Sequence, residues 1–337
     1  MNSLWGESTQ YFFQLSPDKI LSAVDMLGEK TTGRALSLMS LENRVYQIEV
    51  EREQVQSPSD RFLVAKFYRP GRWTAEQIQE EHDFLLELFH LEIPVIAPIL
   101  YQGKSLFLWP EGNIFYALFP KRGGRSLHEL SEAQNLRLAR TLGRIHSVGA
   151  TKKFKTRLKL DATTYLKSNL EFLLSSQFIP ESLRASYESC VLKIFAQANT
   201  FLPTLPYQRI HGDCHHGNIL WNDDSPLFLD FDDTVMGPCV QDFWPLSQVF
   251  DDPQKRAEFI AAYETFHPFN AKHLNFIPLL RALRIVHYSA WIARRYDDPS
   301  FSQIFTHVKE ENYWQREIFF LQELYGEFIN VVNQSAY

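Results

Sequence analysis

His211-Gly212-Asp213-Cys214-His215-His216-Gly217-Asn218-Ile219-Leu220-Trp221 is followed by the turn Asn222-Asp223-Asp224-Ser225 and then by Pro226-Leu227-Phe228-Leu229-Asp230-Phe231-Asp232-Asp233. This stretch decides the fold. It reads as two short strands flanking a loop crowded with acid and amide groups, and a hairpin through the polar turn would bring Asp213, Asn218 and Asp230 together. Those three groups suit phosphoryl transfer. Such a reaction needs a carboxylate to accept a hydroxyl proton, and hard oxygen ligands for the Mg²⁺ that bridges ATP phosphates.

His211-Gly212-Asp213 with Asn218, followed by a strand ending in Asp230-Phe231, resembles the catalytic core of the aminoglycoside-phosphotransferase and choline-kinase branch of the protein-kinase-like fold. Eukaryotic kinases carry His-Arg-Asp and Asp-Phe-Gly in these places, so Gly212 and Asp232 point to that branch. Further along the chain, Glu42-Asn43-Arg44-Val45-Tyr46-Gln47, Lys66-Phe67-Tyr68-Arg69-Pro70 and Arg281-Ala282-Leu283-Arg284 resemble the bacterial stress-response kinases, and the resemblance covers nearly the whole chain. It implies an α+β, two-lobed protein-kinase-like fold with a small antiparallel-sheet N-lobe and a mostly helical C-lobe. It also implies use of ATP and Mg²⁺, with protein serine or threonine as acceptor and autophosphorylation. Asp213 is then the base, Asn218 and Asp230 the metal ligands, and Lys66 and Glu81 the groups that position the phosphates. Asp242 supports the catalytic loop and His211 orients it.

The chain has 337 residues, enough for two lobes, with 45% hydrophobic residues, 14% aromatic residues and 27 Phe to build their cores. A formal net charge of −6 gives no basic footprint for nucleic acid. No basic amphipathic stretch or long apolar run points to a membrane, and Met1 to Gln10 has no signal-peptide pattern. The three cysteines, Cys190, Cys214 and Cys239, have no Cys-x-x-Cys spacing and suit reduced thiols in a cytoplasm. The expectation is a cytoplasmic monomer acting on protein substrates.

The expected N-lobe is 1–119, the hinge 120–126 and the C-lobe 127–337, with the catalytic loop at 211–218 and a metal-binding strand end at 230–233. Ser16-Pro17-Asp18 starts a helix that Gly28 ends. Ala35 to Glu51 reads as two strands around a turn at 40–44. Kinases place a glycine-rich phosphate cover there; this turn has none, so Ser40 and Asn43 are the candidate phosphate donors on the strength of the resemblance.

Arg61 to Tyr68 is apolar on both alternating faces, and Lys66 is its one interior charge. A lysine so placed must find an anion, which fits ATP phosphates and a helix glutamate. The next helix opens with the Thr74-x-x-Gln77 capping box. At about 100° per residue, Glu81 falls inside its apolar stripe with Phe84, Leu85, Leu88 and Phe89, whereas Glu80 falls on the flank as a solvated acid. Pro98 to Tyr101 and Ile114 to Phe119 are expected to complete the sheet. Leu118 and Phe119, just before the Pro120-Lys121-Arg122-Gly123-Gly124 cluster, are the expected hinge contacts to adenine. Beyond it the pattern predicts helices over 130–148, 162–174, 181–201, 251–266, 276–295 and 313–332.

Three other readings compete. His211, His215 and His216 with Asp213 have the ligand types of a zinc cluster. The catalytic core also fits kinases of aminoglycosides, choline or homoserine-like alcohols, since the acceptor site sets the substrate. A nucleotide-binding pseudokinase is the third, and the intact set of Lys66, Asp213, Asn218 and Asp230 argues against it.

Overall fold

The computed structural model describes residues 15–335 except 128, 224 and 247–251; Met1 to Gln10 and Asp251 lie outside the described residues. Helix α1 (Pro17–Asp25) begins as its sequence predicts: the Ser16 hydroxyl accepts from the Lys19 N–H, and Pro17 occupies the first turn. Its apolar face, Ile20, Ala23 and Val24, packs on an antiparallel sheet. That sheet contains β1 (Thr31–Leu38), β2 (Arg44–Val50), β3 (Phe62–Phe67), β4 (Phe107–Trp109) and β5 (Ile114–Pro120), ordered β1-β2-β3-β5-β4.

The period of two along the central strands sorts their side chains. Leu63, Ala65 and Phe67 of β3 and Tyr116 and Leu118 of β5 point into the α1 layer, whereas Val64, Lys66 and Phe119 face the opposite side and line a cleft. The edge strand is 107–109, not 98–101. Pro98 removes a ladder donor from that stretch, which meets β5 through the hydrogen bond from the Ile99 N–H to the Leu118 carbonyl at 2.7 Å, while Tyr101 turns back onto Lys104.

Helix α2 (Ala75–His90) starts with the expected reciprocal cap: the Gln77 N–H donates to the Thr74 hydroxyl and the Thr74 N–H to the Gln77 amide oxygen. Its buried Phe84, Leu85 and Leu88 join the larger core, which runs on through the helical lobe. Phe89 stays exposed, outside the expected stripe. The helical lobe contains α3 (Glu132–Gly149), α4 (Ser168–Ser175), α5 (Glu181–Phe201), α6 (Pro253–Tyr263), α7 (Ile277–Arg294), α8 (Pro299–Ile304) and α9 (Glu311–Ser335). A π-helical turn, Thr163–Lys167, precedes α4 where an unbroken helix from 162 is expected.

Two small sheets interrupt the helices. Strand β6 (Gln208–Ile210) pairs with β9 (Val235–Gly237), and the expected hairpin is β7 (Ile219–Asn222) with β8 (Ser225–Phe228). The result is a two-lobed α+β fold with a cleft between sheet and helices. Among the described residues no helix is long and apolar enough to cross a membrane.

Packing of α3 on β6 is tight enough to test. A Cβ at Gly149 would overlap the Arg209 carbonyl oxygen, whereas one at Gly326, inside α9, meets nothing within 4 Å. Gly149→Ala should therefore cost about 1–3 kcal/mol of stability through overpacking. Gly326→Ala should add about 0.5–1 kcal/mol by reducing unfolded-chain entropy. Thermal or urea unfolding of the two variants checks the opposite signs.

Candidate active site

The loop after β6 is shaped by one buried carboxylate. Asp242 Oδ2 accepts the His211 N–H at 2.8 Å and Oδ1 accepts the Gly212 N–H at 2.9 Å. Its Oδ2 also meets His146 Nε2 at 2.9 Å, and His146 Nδ1 meets the Tyr263 hydroxyl at 2.7 Å. Gly212 has φ 85°, and a Cβ there would overlap the Asp233 carbonyl oxygen, so the position is confined to glycine. Asp242 thus holds the backbone of 211–212 in its turn through both carboxylate oxygens.

His211 ties this loop to the strand end. Its Nε2 lies 2.9 Å from the Leu229 carbonyl, which can only accept, so Nε2 carries the proton and Nδ1 accepts the Asp213 N–H at 3.3 Å. Both ring nitrogens are thereby committed, and His215 Nδ1 accepts the Gly217 N–H at 3.0 Å. Among the described residues no group of three or more His, Cys, Asp or Glu side chains is placed to hold a metal ion, so the zinc-cluster arrangement does not form. Cys214 is fully buried, and burial pushes its thiol well up.

Asp213 and Asn218 meet on the loop: Asn218 Nδ2 donates to the Asp213 carbonyl at 2.9 Å and lies 3.4 Å from Asp213 Oδ2. Asp213 Oδ1 accepts from Arg284 of α7 at 2.5 Å, and Oδ2 lies 3.5 Å from His215 Nε2. Burial alone pushes this carboxyl up, but the Arg284 guanidinium and His215 outweigh it and hold it well below the usual carboxylate range.

On the opposite wall, Lys66 Nζ sits 3.1 Å from Asp232 Oδ1, 3.5 Å from Asp230 Oδ1 and 3.6 Å from Glu81 Oε1. Burial pulls its pKa down, yet Asp232 and Glu81 raise it well above the ordinary value, so the ammonium stays charged. Glu81 is 1% exposed and accepts from Arg157 at 2.7 Å. Burial pushes its carboxyl up against the pull of Lys66 and Arg157. The helix phase therefore assigns Lys66 and Glu81 to each other.

Glu80 is not the solvated acid expected. It accepts the N–H groups of Lys155, Thr156 and Arg157 at 2.6–3.0 Å and the Thr156 hydroxyl at 2.8 Å. This latch holds segment 155–157 against α2 and delivers Arg157 to Glu81. Asp230 adopts a left-handed conformation (φ 58°, ψ 64°), which Asp tolerates, and its side chain is 52% exposed. Phe231 turns the other way, into the core against Phe84 and His211.

The glycine-free turn at 40–44 is fixed by side chains. Asn43 Nδ2 donates to Asp232 at 3.2 Å and Oδ1 accepts the Arg69 N–H at 3.1 Å, so its amide spans strand and site instead of standing ready for a phosphate. Glu42 pairs with Arg69 (3.3 Å), Arg72 (3.0 Å) and Arg295 (2.6 Å) and accepts from the Trp291 indole at 2.5 Å. Burial pushes its carboxyl up; the three arginines bring it below the ordinary value on balance.

A cavity of about 720 Å³ brings together Ser40, Asn43, Lys66, Glu81, Phe119, Asp213, Asn218 and Asp230. Leu118 is not among them: its side chain lies in the α1 layer and its carbonyl accepts from Ile99, whereas Phe119, expected beside it, lines the cavity together with Pro120. Sequence reasoning missed Arg284, Arg157, Arg72 and Asp232. The last two pair at 2.9 Å, and Arg72 also reaches Asp233. The available signal for Asp232 was its place in an acidic triplet around Phe231; for Arg284 it was a cation next to an apolar helical run.

Asp232 offers a stability test. Burial raises its carboxyl, but Lys66 and Arg72 hold it far below the unfolded value, so its contribution is present above about pH 4 and lost as pH falls. Near neutrality Asp232→Asn should cost about 3–5 kcal/mol, because buried cations lose a partner. Denaturant titrations should show the gap to wild type narrowing as pH falls below about 4, because the carboxyl of the unfolded chain takes up a proton there while the folded one is still ionised.

A model of the phosphotransferase enzyme family matches residues 38–274. Stress response kinase A of Escherichia coli (strain K12) is 37% identical over 310 residues, 91% of either chain. The serine/threonine protein kinase RdoA of Salmonella typhimurium shows the same identity and coverage. Among solved structures, an amicoumacin kinase in complex with AMP-PNP, Ca²⁺ and Ami aligns with TM-score 0.70 and 18% identity, covering 91% of this chain and 96% of its own. Choline kinase LicA from Streptococcus pneumoniae aligns with TM-score 0.60 and 16% identity, covering 91% and 97%. With its kinase-like fold and a match over most of its length, the chain belongs to the phosphotransferase enzyme family and is a kinase.

Proposed function

We propose that the protein is an ATP- and Mg²⁺-dependent serine/threonine protein kinase that also phosphorylates itself. The observation that carries this reading is the 37% identity over 91% of the chain to relatives named as a stress response kinase and a serine/threonine protein kinase, joined to the cleft set just described. In this reading 1–119 and 127–337 are the lobes and 120–126 is the hinge. The enzyme acts in the cytoplasm as a monomer; its free, buried cysteines support a reducing compartment.

Asp213 orients the acceptor hydroxyl and takes its proton; the low pKa set by Arg284 keeps the carboxylate ionised throughout the neutral range. Lys66, aimed by Glu81, meets the phosphates of ATP, with Ser40 at the covering turn and the Phe119–Pro120 backbone beside the base. Asn218 and the half-exposed Asp230 carboxylate offer hard oxygen donors in the same cavity and fit a Mg²⁺ ion. When bound, Mg²⁺ supplies the positive charge that offsets negative charge on the transferring phosphoryl group.

Asp213→Ala should reduce phosphoryl transfer by about 10²- to 10⁴-fold. Binding of a non-hydrolysable ATP analogue, read as a rise in melting temperature, should survive. Arg284→Gln should raise the Asp213 pKa and move the acid limb of the kcat/KM profile to higher pH, which a pH–rate profile measures directly. Incubation with labelled ATP should mark Ser or Thr of the protein itself or of a generic protein substrate. Label found only on aminoglycosides, choline or another small alcohol would end the protein-kinase reading and leave the family assignment intact.

A further inference from the structure

The cleft extends past Asp213 along one face of α7. Arg284, His287, Tyr288 and Trp291 recur at helical spacing, and all four line the cavity. Arg284 marks the reacting end because it bonds Asp213. At about 1.5 Å per residue, Tyr288 stands about 6 Å and Trp291 about 10 Å further along the axis.

These aromatics form a rigid shelf. Tyr288 and Trp291 stack with centroids 5.5 Å apart and an interplanar angle of 20°. Phe305 packs edge-on against them at 6.2 and 5.9 Å. The Trp291 indole is fixed by its hydrogen bond to Glu42. Tyr288 remains 41% exposed, and Met39, at the rim of the same cavity, is fully exposed. The charges at this end are already matched: Glu42 with Arg69, Arg72 and Arg295, and Arg284 with Asp213. What the shelf offers a ligand is apolar ring surface.

We propose that this shelf is a subsite for a large apolar or aromatic side chain of the acceptor polypeptide, two or three residues from the serine or threonine that is phosphorylated. The spacing follows from geometry: an extended chain advances about 3.3 Å per residue, so two or three residues cover the roughly 6 to 10 Å along α7 from Arg284, which bonds Asp213, to the shelf. This inference rests on the protein-kinase reading above and deepens it.

A positional-scanning peptide library with a single Ser or Thr acceptor and labelled ATP tests it on the full-length protein. Phe, Tyr, Trp, Leu or Met at one position two or three residues from the acceptor should raise kcat/KM about tenfold or more over Gly, as expected for burying such a side chain. Tyr288→Ser, a change on the surface side of the shelf, should raise KM for the apolar-flanked peptide far more than for its Gly-flanked counterpart. Phe305→Leu gives a second variant with a milder core change and should weaken the same preference. Peptides phosphorylated without a flank preference, or with a preference for basic or acidic flanks, would overturn the subsite while leaving the kinase reading standing. Label on small alcohols and on no peptide or protein would overturn both.

Discussion

A single buried ammonium organises the site. Lys66 cannot remain charged in an otherwise apolar strand without anions, and three carboxylates from two distant places in the chain supply them: Glu81 from α2, and Asp230 and Asp232 from the segment after β8. Satisfying Lys66 therefore fixes how α2 lies against the sheet and where the strand end of the helical lobe must come. The same physical demand propagates outward. Arg157 completes Glu81, Arg72 completes Asp232, and Glu80 latches the backbone that carries Arg157.

The second constraint is the seam between the lobes at the 40–44 turn. Glycine-rich covers rely on backbone freedom to approach an anion. Here the turn is held from below, by Glu42 on Arg295 and Trp291 of the helical lobe and by Asn43 on Asp232. Nearby, Arg69 pairs with Asp298 at 2.9 Å, another buried contact across the same seam. The cleft is thus preformed by ion pairs between side chains, which limits how far the turn can close without rearranging them.

Much of this was legible in the sequence. A polar loop between short apolar runs, a lone lysine in a two-faced strand and a glutamate inside an apolar helical stripe each follow from local period and from the cost of burying charge. Those rules placed Asp213, Asn218, Asp230, Lys66 and Glu81 in one cavity. What escaped was what depends on distant partners. Arg284 meets Asp213 across 71 positions and Arg157 meets Glu81 across 76, and no local pattern encodes such pairs. Leu118 failed for a different reason: alternation along β5 shows that neighbours face opposite ways, but only the docking of α1 reveals which face is the cleft. The stretch at 98–101 misled because apolar composition alone does not make a ladder: Pro98 has no N–H to donate and Leu100 is exposed.

The central claim is that the cleft around Lys66 is where nucleotide and metal bind. A crystal structure with Mg²⁺ and a non-hydrolysable ATP analogue tests it most directly. The account predicts phosphate oxygens on Lys66 Nζ and the metal on Asn218 Oδ1 and the Asp230 carboxylate, with the base beside Phe119 and Pro120. A metal on His215 or His216, or a nucleotide seated away from Lys66, would contradict it.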